Sequence, residues 1–290
     1  MAVDAWGFNS ERQAKAHRLR TMRFRLSIAR TAAVVALVVV LVIGGSEGGI
    51  GDEQAAALLA SHGYTALAIA YFGVESLPKS LAEIPIETFF AAIDYLKRLD
   101  HGKVSLLGTS KGAEAALLVA ERRDIAAVIL YAPSSVVWSC ICEEAKSSWT
   151  LGGTPLPFVP AGRDPWYAPP TGFPIEPAVN YRFRLHHAPD TARIDAARVT
   201  APILLIAGGR DSLWPSAEMA RQILKAHRGS HKLLIFEDAG HLIGKGYMPS
   251  GSTLIGNGRI ETGGSPRANA HAQATAWPEV LRFLGSKPSI

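Results

Sequence analysis

The chain has 290 residues, 48% of them hydrophobic and 19% charged, a globular composition that excludes collagen-like, disulfide-dense and wholly disordered classes. Its net charge of +5 is local: residues 1–30 hold seven Lys and Arg against Asp4 and Glu11, and the rest of the chain carries 23 basic and 23 acidic groups. A basic tail on a neutral body excludes a cationic binding face, so no nucleic-acid partner is expected.

Taken in chain order, the first region is residues 1–30, read as a basic extension. Met22, Phe24, Leu26 and Ile28 alternate with Arg23, Arg25 and Ser27, a period of two that suits a strand, although a basic amphipathic helix reaching back to Asn9 fits as well. Ala32 to Ile43 (AAVVALVVVLVI) follows. Twelve apolar residues fall short of the about 20 that a spanning helix needs. Valine fills half of the run, and β-branched side chains suit a strand. A continuous apolar run ending in glycines therefore predicts a central parallel strand buried on both faces, rather than the apolar part of an export signal.

The chain then alternates. Helices are predicted over 51–62, stopped by Gly63, over 86–98 and from Gly112 to Arg122. Strands are predicted at Thr65–Tyr71, Val104–Leu107 and Ala126–Tyr131. Further on come strands Ile203–Ala207 and Lys232–Phe236, with helices near 216–227 and 268–285. Strands separated by helices imply right-handed crossovers and a mostly parallel sheet covered on both sides, within one α/β domain over 31–290. The rhythm breaks over about 133–198. Between Pro133 and Pro189 lie ten of the 18 prolines, with Trp138, Trp149 and Trp166. Such a stretch reads as an inserted cap or binding loop. Its aromatics either line an acyl pocket or pack the insertion onto the domain.

The two cysteines, Cys140 and Cys142, stand one residue apart. No second pair completes a zinc site, and a bridge across one residue closes a small, strained ring. Free thiols and a reducing, cytoplasmic location are therefore expected. Membrane association through the basic and apolar start is the alternative.

Gly108-Thr109-Ser110-Lys111-Gly112 matches G-x-S-x-G between a predicted strand and a predicted helix. That context presents a serine hydroxyl outward on a sharp turn at a helix N-terminus. Gly44-Gly45-Ser46-Glu47-Gly48 fits the same pattern, but it follows the first firm strand, too early for a nucleophile. Gly44, Gly45, Ser46 and Glu47 are therefore expected to form the loop that donates a backbone N–H to an oxyanion, with the N–H of Lys111 as second donor. A serine needs a base, and the base needs a carboxylate. In the order Ser, acid, His, Asp211 follows the strand PILLIA and His241 follows KLLIFE, each at a carboxyl end of the sheet. Asp124, Asp190, Asp195 and Asp238 are weaker acids by position. His186 and His187 have no ligand spacing around them, and no metal or organic cofactor is expected.

GGSEGG, LLASHGYTALAIAYFG, LPKSLAEIPIETFFAAIDYL, LLGTSKGAEAALL, IAGGRDSLWPS, DAGHLI and GGSPRANAHAQATAWPEVLRFL together resemble the C-terminal catalytic domain of acyl-CoA thioesterases and bile acid-CoA:amino acid N-acyltransferases, over about residues 40–285. The resemblance implies an α/β-hydrolase fold with Ser110, Asp211 and His241 as nucleophile, acid and base, and an acyl ester or acyl-CoA as the small-molecule partner. Animal members place a separate β-rich domain before the catalytic one, where this sequence has about 30 residues. Members that transfer the acyl group to glycine or taurine carry Cys at the elbow. Ser110 stands here, so hydrolysis of a thioester is expected over amidation. A carboxylesterase or lactone hydrolase is the nearest alternative, and a non-catalytic binding module with this fold the most distant.

Overall fold

The computed structural model describes residues 38–100, 102–142, 144–160, 176–244 and 253–285. The expectations for residues 1–30, for Met22 to Ile28 and for Trp166 lie outside the described residues.

β1 (Val39–Ile43) is the described part of the valine-rich run, and all five of its residues are fully buried. Val39, Leu41 and Ile43 contribute to one apolar cluster and Val40 and Val42 to another, which is how a strand with helices on both sides divides its side chains. Each such valine or leucine contributes about 1.5–3 kcal/mol by leaving water. α1 (Glu53–Ser61) leads to β2 (Thr65–Ala68), with Gly63 between them at φ 87°. Next come the short β3 (Ile84–Pro85) and α2 (Glu87–Asp100). β4 (Val104–Thr109), α3 (Lys111–Ala120) and β5 (Val128–Tyr131) form the middle of the domain. β6 (Trp149–Leu151) and β7 (Thr154–Pro155) pair with β3 in a small separate sheet, followed by α4 (Pro177–His186). The second half has β8 (Ile203–Gly208), α5 (Ser216–Ala226), β9 (His231–Phe236), the hairpin of β10 (Leu254–Ile255) and β11 (Ile260–Glu261), and α6 (Pro266–Phe283).

The main sheet has six strands in the order β2-β1-β4-β5-β8-β9, and every adjacent pair is parallel. α2, α3 and α5 supply the apolar cluster on one face, and α1 and α6 the cluster on the other. This is the α/β-hydrolase arrangement. The winding direction reverses between β1 and β4, and such a reversal opens a crevice at the carboxyl ends of the strands.

Two expectations change and one open alternative is decided. The stretch after β5 is not without regular structure: α4 lies within it. Its sequence PAVNYRFRLH has weak amphipathic patterning, but Pro177 pre-sets the first turn, and Tyr181 and Leu185, four residues apart, bury one side. Trp138 and Trp149 are fully buried; Trp138 packs edge-on against Tyr181 and Trp149 against Tyr71 and Phe89. They pack the segment onto the domain. Lastly, Cys140 and Cys142 form a disulfide and are not free thiols. The chain turns back on itself there, with the Cys140 N–H donating to Lys146 O at 2.8 Å, and the two Cα atoms stand 5.4 Å apart, within the range a bridge spans. The inference of a reducing compartment loses its premise.

Candidate active site

Ser110 occupies the sharp turn between β4 and α3, at φ 57° and ψ −120°. A non-glycine residue at positive φ is strained by about 1–3 kcal/mol and persists only where its surroundings fix it. Here they do. The Ser110 N–H donates to Tyr131 O at 2.9 Å, and Ser110 O accepts from Ala113 N and Glu114 N, starting the helix. A Cβ on Gly108 would collide with the backbone of Gly112, and one on Gly112 with the carbonyls of Ile43 and Gly44. The glycines of G-x-S-x-G are thus the condition for the first turn of α3 to lie directly against the end of β1.

That contact puts the loop after β1 beside Ser110. A Cβ at Gly45 would stand 3.3 Å from Ser110 Cβ. Gly44 and Gly45 are buried and Ser46 and Glu47 exposed, with the Glu47 carboxylate folded back over Gly44, Gly45 and Gly51. The Tyr71 hydroxyl lies 2.8 Å from Gly44 O and 2.5 Å from Gly45 O. Burial, with Glu47 and Glu114 nearby, pushes the Tyr71 phenol well above its ordinary value, so it stays protonated as a donor. Of the two serines in G-x-S-x-G, the buried Ser110 meets a histidine and the exposed Ser46 sits on the neighbouring loop.

His241 Nε2 lies 2.9 Å from Ser110 Oγ, and His241 Nδ1 lies 2.9 Å from Asp211 Oδ2. All three residues are buried. Asp211 Oδ1 accepts from the backbone N–H groups of Leu213 and Trp214 at 2.9 and 3.1 Å, which orients the carboxylate and leaves Oδ2 for the imidazole. A proton on Nδ1 directed at Asp211 leaves Nε2 as the acceptor for the serine hydroxyl. The structure therefore joins the three sequence-predicted residues in one hydrogen-bonded chain across the carboxyl ends of β4, β8 and β9.

The loops carrying Asp211 and His241 pack backbone to backbone. Asp211 bridges to Gly263, His241 N–H donates to Thr262 O at 2.7 Å, and Gly240 N–H donates to Asn269 Oδ1 at 2.7 Å. Ser265 caps α6 by accepting from Ala268 N at 3.2 Å. The sequence reading assigned Thr262 and Asn269 no role. Gly-Gly-Ser-Pro is a visible helix start, but nothing in its spacing indicates that it supports His241. The side chain of Lys111, a residue assigned only its backbone N–H, and Glu114 form a second omission. They are the two charged residues of a helix that is apolar on all sides, and such a helix is buried and must pair its charges.

The remaining candidates lie apart from this chain. Asp124 pairs with Lys103, Asp190 with Arg193 and Asp238 with Arg210, while Asp195 accepts from Ala197 N. His186 meets Glu218 and His187 stacks on Phe183. Among the described residues no three His, Cys, Asp or Glu side chains gather as a metal site, and no helix is long and apolar enough to cross a membrane.

Residues 84–287 match the family model described as BAAT / Acyl-CoA thioester hydrolase C terminal. The chain belongs to this family. Relatives similar to this family member include human acyl-coenzyme A thioesterase 6, 30% identical over 258 residues, covering 80% of this chain and 56% of the human protein. Mouse acyl-coenzyme A amino acid N-acyltransferase 1 is 30% identical over 252 residues, with coverage of 80% and 56%. The chain thus spans little more than half the length of these relatives. Among solved structures, the dienelactone hydrolase of Anabaena variabilis aligns with a TM-score of 0.42 at 20% identity, covering 72% of this chain and 78% of the other.

Proposed function

We propose that the protein hydrolyses acyl thioesters through an acyl-enzyme on Ser110. The observation that carries this reading is the chain Ser110 Oγ, His241, Asp211 at 2.9 Å per link, with the serine on a strained turn at a helix N-terminus. His241 takes the hydroxyl proton as Ser110 Oγ attacks the acyl carbon. Asp211 keeps the imidazole in the acceptor tautomer and stabilises the imidazolium that forms. The Lys111 N–H, in the first turn of α3, has no acceptor within the helix. With an N–H of the Gly44–Gly49 loop it meets the charge that develops on the carbonyl oxygen. His241 then returns the proton to the leaving thiolate and activates water for the second step. An oxygen ester of serine is resolved by water, which favours hydrolysis over transfer to an amine.

The substrate class follows the relatives, several of which are acyl-coenzyme A thioesterases. The test is a panel of acyl-CoAs set beside p-nitrophenyl esters of the same acyl chains. A kcat/KM higher for the thioesters supports the reading, and a preference for the oxygen esters assigns a carboxylesterase instead. Ser110→Ala is expected to lower kcat by at least about 10⁴-fold on either series with the thermal midpoint unchanged. Retained turnover in this variant overturns the assignment.

A further inference from the structure

Directly beneath the Ser110 turn lies an ion pair that the chemistry above does not use. Lys111 is 3% exposed and Glu114 is not exposed at all. Lys111 Nζ donates to both Glu114 oxygens, at 3.1 and 3.0 Å. Glu114 Oε1 also accepts from the Trp138 backbone N–H at 3.1 Å and from Trp149 Nε1 at 2.7 Å. Burial pushes the Lys111 amine down and the Glu114 carboxyl up, while each partner pulls the other back toward its charged form.

Charge pairing as such does not explain the two residues, although Glu114 also serves as acceptor for the buried Trp138 and Trp149 N–H groups. Buried ion pairs are commonly replaced by apolar residues of similar volume without loss, and a lysine at the start of a helix opposes the macrodipole. The neighbouring Ala113 and Ala115 to Ala120 show that this helix accepts apolar residues throughout. What the pair supplies is direction. Trp149, fixed through its indole N–H, packs its ring 5.9 Å from that of Tyr71, and the Tyr71 hydroxyl holds the carbonyls of Gly44 and Gly45. One line of contacts therefore runs from the side chain of Lys111 to the loop opposite its own N–H.

We propose that the Lys111–Glu114 pair is the positioning device of the oxyanion site. It draws the Lys111 side chain inward, so that the adjoining N–H faces the acyl oxygen, and it holds the Gly44–Gly45 loop in place through Trp149 and Tyr71. This rests on the acyl-enzyme reading of Ser110 and adds to it the Lys111 side chain and Glu114, neither of which touches a substrate atom.

The test compares wild type with Lys111→Met/Glu114→Leu, Glu114→Gln and Tyr71→Phe. Each is measured for thermal midpoint, for kcat and KM on p-nitrophenyl butyrate, and for inhibition by a trifluoromethyl ketone, which forms a tetrahedral adduct with a reactive serine. The double variant leaves the buried Trp138 and Trp149 N–H groups without their acceptor, so it is expected to fold with a lowered midpoint, to lose about 10²-fold in kcat with KM within about twofold, and to bind the ketone correspondingly less tightly. Tyr71→Phe and Glu114→Gln should each lose about tenfold in the same pattern. A folded double variant with kcat within about threefold of wild type overturns the proposal. Should the double variant not fold, Glu114→Gln and Tyr71→Phe decide, and kcat within about twofold of wild type in both overturns it equally. Failure of the underlying reading is seen separately, as a wild-type protein that turns over neither ester nor thioester and takes no fluorophosphonate label on Ser110.

Discussion

Ser110 on one side and Asp211 with His241 on the other come within 2.9 Å of each other, but the chain builds the two sides from different elements. The serine side is made of regular elements: β1, β4 and α3 press backbone against backbone, and the crossing exists only because Gly108 and Gly112 have no Cβ. The side of Asp211 and His241 is made of loops, where Gly208, Gly240 and Gly263 also approach backbone too closely for a Cβ, and hydrogen bonds to Thr262, Gly263 and Asn269 add to that packing. Steric exclusion has no intermediate settings, whereas a set of hydrogen bonds can be removed one at a time. Changes to the glycines should therefore fail outright on either side, and changes to the loop hydrogen bonds by degrees.

The largest expected effect removes function without touching the packing. Asp211→Asn should lower kcat by about 10⁴-fold, because the amide favours the wrong imidazole tautomer, while the thermal midpoint barely moves. Gly112→Ala comes next. Its methyl group meets the Ile43 and Gly44 carbonyls, and denaturant titration should show a loss of about 3 kcal/mol or more, with activity lost along with the turn. Asn269→Ala, which deletes one acceptor for the Gly240 N–H, should cost about 1–3 kcal/mol and leave measurable turnover. A loss as complete as that of Gly112→Ala would erase the distinction between steric exclusion and hydrogen bonding. Smallest of all, Lys103→Ala breaks an exposed pair with Asp124 and should change stability by less than about 1 kcal/mol, which sets the floor for reading the others.

The same division explains what could be read from the sequence. The valine run, the helix and strand periods and G-x-S-x-G report local geometry, and local geometry built the sheet and the Ser110 turn. Asp211 and His241 were reached because each follows an apolar strand at the end where this architecture places its chemistry. The residues that steady them were not legible. Thr262 acts through a carbonyl, which every residue carries, and Asn269 through a contact 29 residues away from Gly240. The Glu114 hub joins positions 24 and 35 residues apart, which no short period encodes. α4 escaped notice because its buried positions are separated by arginines and an asparagine. The Cys140–Cys142 bridge escaped because the turn that brings the two residues together depends on Lys146, four positions beyond the second cysteine.

Among the described residues β9 closes one side of the main sheet, pairing with β8 alone in the strand order. An outermost strand offers its free row of amides and carbonyls to any passing chain, and proteins blunt such borders with charge. β9 opens with His231 and Lys232, and the lysine is tethered to Glu279 on α6. A molecule trying to lengthen the sheet from that border would have to desolvate this charged pair, so the ion pair on α6 guards the seam along which separate copies could otherwise join into fibres.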